Sequence, residues 1–435
     1  MAPKSWLPIA GSSHFSLANI PFGIISTKAL PNPRPASIIG THVIDLQAFA
    51  EGGGFSPLEV IKPHIGVFSQ PRLNAFAALG RPAHSQVRSY LQQIFSEDGS
   101  YPQILRDNSD LRSKVLILAS EATTHLPLEI GDYTDFFAGI NHAFTVGSLF
   151  RGPENALQPN YKHLPVAYHS RASSVVVSGT PVRRPWGQIL TAPPSVMPQA
   201  PVVAPCRRLD IELELAAFIC KANPIGEPVP VDEAEQSIFG YVLMNDWSAR
   251  DIQTWEYVPL GPFNAKNFAT SISPWVVLPD ALEPFATSGI ANDTDFAAYL
   301  KESRELNQYD IRLKVDLTTK KGTTTTITET SSKNLIWSFP QMIAHHTFSG
   351  CPMRPGDLLG SGTISGTTDS SRGSLLEQNG GGKKVITLNG EKRESSWKTE
   401  TRLRFTVFRA RRELLLDLAS VVAKSSRRVD SYTYI

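Results

Sequence analysis

The sequence predicts a mainly β, α+β chain in two unequal parts: a small first unit over residues 1–125 and a larger β-rich unit over 126–435. Three observations carry this expectation. Short apolar, β-branched runs recur along the whole chain, cut by many of its 33 prolines and 30 glycines. Helical periodicity is confined to a few short stretches. After Leu126–Pro127 the texture changes, with aromatic, Gly and Pro residues becoming dense. A chain of 435 residues is long enough for two cores.

In the first unit, Phe22–Ser26 and Ser37–Leu46 read as strands. Ala83–Phe95 reads as an amphipathic helix with Val87, Tyr90, Leu91 and Ile94 on one side, and Pro82 suits its start. In the second unit, Val175–Val177 reads as a strand and Thr180–Pro185 as a turn. Helices are expected near Val231–Ile238, Ala249–Tyr257, Thr294–Lys301 and Phe339–His346. The Thr-rich Lys320–Thr326 reads as a strand–turn–strand tip. No repeat of solenoid period is present.

Hydrophobic residues make up 41% and charged residues 19%, ordinary for a globular protein. A net charge of +2 gives no case for nucleic acid or an acidic membrane surface as partner. Apolar runs such as Val115–Ala119 are too short to span a bilayer, and the amino terminus MAPKSWLPIAGSSHF lacks a secretory core. Three widely spaced cysteines, Cys206, Cys220 and Cys351, suit reduced thiols in a cytoplasmic protein.

Chemistry concentrates in Gly131–Gly152, GDYTDFFAGINHAFTVGSLFRG. Asp132 and Asp135 offer carboxylates, His142 a base that titrates near neutrality, and Arg151 a cationic fork. If the stretch is helical, Asp135 and His142 lie about two turns apart on one face. The set suits hydrolysis of an acidic substrate, and a hydrogen-bonded Asp–His pair on a surface helix fits it too. Leu209–Leu215 alternates, placing Asp210, Glu212 and Glu214 on one strand face. That face is either solvated or, given the apolar Ala216–Cys220, buried and in need of a cation. Tyr241–Met244 is an apolar strand ending at Asp246. In the helix that follows, Arg250, Gln253 and Tyr257 share a face, so carboxylate, guanidinium, amide and phenol converge; a helix with its polar side in solvent is the alternative. Lys266 lies in a Gly/Pro-rich loop. SGTISG at Ser361–Gly366 lacks the strand–turn–helix setting of a serine nucleophile. His345 and His346 are adjacent, so their side chains diverge and read as structural. Asp135, Glu212, Glu214 and Asp246 form an all-oxygen set that selects Ca²⁺ or Mg²⁺ over zinc.

These stretches, with FRGPENALQPN, HLPVAYHSRASSVVVSGTPVRRP, YVLMNDWSARDIQTWEYVPLGPFNAKNFATSISPW, RPGDLLGSGTISG and GSLLE, resemble the fumarylacetoacetase family over most of the chain up to about Gly390. The resemblance implies a small SH3-like β-barrel at the amino terminus, a mixed β-roll catalytic domain after it, and a homodimer. It implies hydrolytic cleavage of a carbon–carbon bond in a diketo acid, 4-fumarylacetoacetate, in tyrosine and phenylalanine breakdown. The four carboxylates would surround a divalent metal, with Lys266 and Thr270 beside it. His142 would activate water, Glu377 would hold its tautomer, and Arg250, Gln253 and Lys266 would stabilise the oxyanion. Arg151, Tyr168, Gln253, Tyr257 and Thr363 fall at substrate-contacting positions, as does Phe137, where the family usually has Tyr. The resemblance leaves two other readings: a metal-dependent hydratase, isomerase or decarboxylase of oxo acids, or an inactive binding homologue. From about residue 394 the chain departs from the family's pattern. Codons over Ser396–Arg404 read one base out of register can spell LEDGDTVT, so a shifted reading frame is one account and divergence the other. The expectation is that two closing strands are missing, with Leu414, Leu415, Leu418 and Val422 sharing a helical face instead.

Overall fold

The computed structural model describes residues 4–11, 13–192, 197, 200–319 and 322–389, together with the backbone strands at 391–392, 402–408 and 422–426. Strands β1 (Phe22–Thr27), β2 (Arg34–Ile39), β3 (His42–Asp45), β4 (Leu116–Leu118) and β5 (Ala122–His125) form one antiparallel sheet in the order β4-β3-β2-β1-β5. The single strand expected over Ser37–Leu46 is therefore a hairpin. Gly40, at φ +55°, turns the chain between β2 and β3. Asp45 then accepts a hydrogen bond from the Ala48 amide and caps a short helix, Leu46–Glu51. Helix α1 (Arg81–Phe95) buries Val87, Tyr90, Leu91 and Ile94, the stripe its sequence shows.

The larger part opens with β6 (Tyr133–Phe136) and α2 (Ile140–Arg151), followed by β7 (Ala167–Ser170), β8 (Val175–Val177), β9 (Leu213–Ile219), β10 (Ile238–Asp246), α3 (Arg250–Glu256) and β11 (Thr270–Ile272). Next come β12 (Arg312–Thr318), β13 (Thr324–Ser331), α4 (Phe339–Thr347), β14 (Leu358–Gly360) and the four-residue helix α5 (Leu375–Gln378). A seven-stranded sheet runs β7-β6-β14-β9-β10-β11-β8, mostly antiparallel but with parallel pairs β6–β14 and β8–β11. Its central strands are buried throughout: every residue of β9 and β10 is shielded from solvent. Two expected helices shrink to single 3₁₀ turns, Ala234–Ser237 and Ala298–Leu300. In the first case Ile238 is taken into β10 by pairing with Ile219. In the second, the Asn292 side chain accepts from the Thr294 amide and holds the backbone in a turn.

The two parts share an apolar core. Phe22 and Val276 exchange main-chain hydrogen bonds of 2.9 and 2.7 Å. Phe76 packs on Phe22 and, edge to face, on Phe239 of β10.

The tail corrects an expectation. β15 (Arg402–Phe408) pairs antiparallel with all seven residues of β12, and β16 (Val422–Ser426) pairs with β15 and with Val182–Arg183. The sheet edge expected to be bare is paired. The sequence reason is period two: Leu403, Phe405 and Val407 alternate with Arg402, Arg404 and Thr406. Val422, assigned above to a helical face, opens a strand; residues 414–421 of that face lie outside the described residues. Among the described residues no helix is long and apolar enough to cross a membrane.

Candidate active site

Five neighbouring strands of the large sheet meet at one end: β6, β14 and β10 finish there, β9 and β11 begin there. Asp135 of β6, Glu214 of β9 and Asp246 of β10 bring carboxylate oxygens within 4.8 Å of one another, all buried. The approach requires glycine at position 360, where a Cβ would fall 2.5 Å from Asp135 Oδ1 and 3.2 Å from Glu214 Oε2. Tyr168 donates from its hydroxyl to Asp135 (3.1 Å) and Asp246 (2.9 Å). Thr270 donates to Asp246 Oδ1 at 2.9 Å, and the Gly362 amide to Glu214 Oε2 at 3.0 Å. Asp135 Oδ1 and Glu214 Oε1 are buried and meet no hydrogen-bond donor among the described residues. Burial first, then the neighbouring carboxylates, pushes Asp135 and Glu214 well above the usual carboxylate range. Two orphaned hard oxygens among three crowded acids fit a divalent cation, which supplies the charge the protein does not. The cluster could hold a metal.

The alternation expected over Asp210–Glu214 breaks. Leu209–Asp210 is a separate short strand, β9 begins at Leu213, and Glu212 lies between them. Only Glu214 reaches the cluster. Glu212 stands beside it with Oε1 accepting from Arg250 Nη2 at 2.7 Å and Oε2 from Lys266 Nζ. Lys266 is 4% exposed and donates also to Asp246 at 2.6 Å, so it is a buried cation and not a solvated loop lysine. Burial works against the charge on Glu212, but Lys266, Arg250 and His142 hold its carboxyl below the ordinary range. Burial likewise opposes the charges of Lys266 and Arg250, and their acidic partners hold both firmly cationic.

His142 is the third residue of α2, which starts after Gly139; Asp135 is therefore on a strand and the two do not share a helix face as expected. His142 Nδ1 lies 2.7 Å from Glu377 Oε2, and its Nε2 lies 3.7 Å from Glu212 Oε1. Ser365 and Ser374 each donate to the same Glu377 oxygen at 2.8 Å. Burial would raise Glu377, but His142 and these donors keep it below its ordinary value. An ionised carboxylate only accepts, so Nδ1 is the donor in this pair and Nε2 is turned toward Glu212.

Matches to known families bear on this geometry. The model of the fumarylacetoacetate hydrolase C-terminal family matches residues 133–404, and that of the fumarylacetoacetase N-terminal family matches residues 18–127. The chain belongs to the fumarylacetoacetase family. It is 63% identical over 391 residues to the fumarylacetoacetase of Aspergillus fumigatus, covering 89% of this chain and 90% of that one. It is 46% identical over 392 residues to the human fumarylacetoacetase, covering 90% and 91%. Among solved structures, a fumarylacetoacetate hydrolase from Exiguobacterium antarcticum covers 94% of this chain and 100% of its own, with a TM-score of 0.52 at 13% identity, a likeness of fold.

Beside the acid cluster lies a cavity of about 350 Å³. Its wall includes His142, Arg250, Gln253, Tyr257, Lys266, Tyr168, Thr363, Phe137 and Arg151, so every substrate-contacting position marked in the sequence lies on one surface. Arg250 Nη1 donates to Gln253 Oε1 at 3.0 Å, fixing two of them together. Phe137 sets its ring edge to face with His142, centroids 5.6 Å apart. Arg151 reaches the wall with its guanidinium donating to the Asn155 and Ala156 carbonyls at 3.0 and 2.6 Å. Asp132 is outside the cavity, paired with Arg354 at 3.0 Å. His345 and His346 take separate partners, Tyr299 and Thr134, and share no site. Sequence reasoning missed Ser365 and Ser374, whose hydroxyls anchor Glu377; the Ser-x-x-Glu spacing of Ser374 and Glu377 was the available signal.

Proposed function

We propose that this chain hydrolyses 4-fumarylacetoacetate to fumarate and acetoacetate, the closing reaction of tyrosine and phenylalanine catabolism. What supports the reading is one juxtaposition: a carboxylate-anchored imidazole and a buried acid cluster open on the same cavity in a member of this family. His142 Nε2 takes a proton from water as the water oxygen attacks the ketone carbon of the fumaryl group. Glu377 stabilises the imidazolium that results. Arg250, Gln253 and Lys266 lie on the wall where the tetrahedral oxyanion forms, preorganised by the ion pairs of Arg250 and Lys266 and the hydrogen bond from Arg250 to Gln253. The carbon–carbon bond then breaks, its electron pair leaves with the acetoacetate fragment, and the proton held by His142 passes to that carbon. Asp135, Glu214 and Asp246, with Glu212, Lys266 and Thr270 at their border, would hold Mg²⁺ or Ca²⁺. Such an ion supplies Lewis-acid charge for the diketone oxygens. Phe137 lacks the hydroxyl usual at its position, a loss of about 0.5–1.5 kcal/mol in substrate binding.

The family's remaining expectations belong to the same proposal: a homodimer in the cytoplasm, an SH3-like barrel at the amino terminus and a β-roll catalytic domain. Loss of the ultraviolet absorbance of fumarylacetoacetate, followed with and without chelator, tests the reaction. Turnover that stops in chelator and returns with Mg²⁺ or Ca²⁺ is expected; no turnover with either ion present would sink it. Light scattering at the mass of two chains tests the dimer.

A further inference from the structure

Asp210 belongs to neither the acid cluster nor the cavity wall, although it opens the acidic run that contains Glu212 and Glu214. It is 3% exposed and accepts four hydrogen bonds. Oδ1 takes the amides of Ile211 (2.7 Å) and Leu375 (2.8 Å); Oδ2 takes Arg250 Nε (2.8 Å) and the amide of Leu376 (3.0 Å). One carboxylate thus grips two separate parts of the site.

The first part is the Arg250 guanidinium. With Nε on Asp210, Nη2 on Glu212 and Nη1 on Gln253, its plane is fixed along three edges. The second is the turn that carries Glu377. Leu375 and Leu376 are the first two residues of α5, and Ser374 before them both donates to Glu377 Oε2 and accepts from the Glu377 amide. The contacts close into a ring: Asp210 to Arg250, Arg250 to Glu212, Glu212 to His142, His142 to Glu377, and Glu377 through its own turn back to Asp210.

We propose that Asp210 is a positioning residue that locks the Arg250 guanidinium to the turn bearing Glu377, so that oxyanion donor and base keep one fixed relative placement. The inference rests on His142 being the base, as proposed above. The chemistry of the position demands aspartate. Four donors converge on it, and only an acceptor-only group with four lone-pair directions satisfies them. An asparagine would set its own NH₂ against two of those donors, and displacements of about 1 Å at such sites cost on the order of 100-fold in rate.

The test is a double-mutant cycle on the full-length, metal-loaded enzyme with fumarylacetoacetate. Asp210→Asn is expected to lower kcat by about 100-fold while KM changes far less, because the residue touches no substrate. In a Glu377→Gln background the same substitution is expected to cost less, since the turn it positions no longer carries the working carboxylate. An undiminished cost in that background, or unchanged turnover in the single variant, overturns the proposal. If Asp210→Asn does not fold, Asp210→Glu, which keeps both acceptor oxygens, enters the same cycle with the same two outcomes. His142→Ala is measured alongside. Turnover retained there removes the base assignment itself; turnover lost there with an undiminished Asp210 cost removes only the positioning role.

Discussion

Glu377 and Glu214 are buried glutamates in one site, and they are held in opposite ways. Glu377 has His142, Ser365 and Ser374 all pointing at one oxygen, and its charge is welcome. Glu214 has one amide, no cation in contact among the described residues, and Asp135 and Asp246 as neighbours, and its charge is resisted. The contrast separates a half-site the protein completes by itself from one it leaves for an ion to complete. It also explains why Lys266 and Arg250 crowd onto Glu212, which stands between the two halves. On the proposed mechanism one half serves proton transfer and the other holds positive charge.

The sharpest way to break this division is His142→Ala. It should lower kcat by up to about 10⁴-fold, the span of general-base effects, while metal content by elemental analysis stays that of the parent. If metal falls in step with activity, the halves are not separate. Next in size is Lys266→Met. It leaves Glu212 and Asp246 without their shared cation, so the metal-free protein should lose about 3–5 kcal/mol by denaturant melt. A change below 1 kcal/mol would mean the lysine is not holding the halves together.

A third prediction concerns pH and removal of the ion. The metal-free fold binds protons on Glu214 and Asp135 more tightly than the unfolded chain does. Their contribution is therefore complete below 3.8, the lower of the ordinary aspartate and glutamate values, and is lost as pH rises from there towards their raised values. The melting temperature of metal-free protein should fall as pH climbs above that value, and saturating Mg²⁺ or Ca²⁺ should abolish the fall. Glu214→Gln should likewise raise the metal-free melting point while removing the ion, because it takes one of three crowded carboxylates away. A lowered melting point would show that the acids are not strained against one another. The smallest effect expected is from Phe137→Tyr, which adds a donor at the wall and should tighten substrate binding by about 0.5–1.5 kcal/mol in KM with little change in kcat.

The strand texture, helix α1 and the helix carrying Arg250 and Gln253 were legible because their periodicities are local. The carboxylates were legible as residue types, but the alternation from Asp210 to Glu214 misled. A break at Ile211–Glu212 sends three acids to three different tasks, and a period of two cannot show where a strand stops. Glu377 has no local signature that ties it to His142; resemblance marked it, and only the fold brings it across 235 positions. The tail shows the reverse failure. Comparison with a family pattern hid a plain alternation over Leu403, Phe405 and Val407 that forms a paired strand.

The separation of the site's parts along the chain sets a timetable for synthesis. β6 supplies Asp135 early, yet its neighbour β14 and the glutamate that orients His142 emerge more than two hundred residues later. A ribosome must hand over nearly the whole polypeptide before the acids find their sheet and the imidazole finds its partner. Until then Asp135 lacks one neighbouring strand and His142 lacks its carboxylate. Long-range closure of this kind is slow. The nascent enzyme is therefore inert, and most exposed to misassembly, for most of its time on the ribosome.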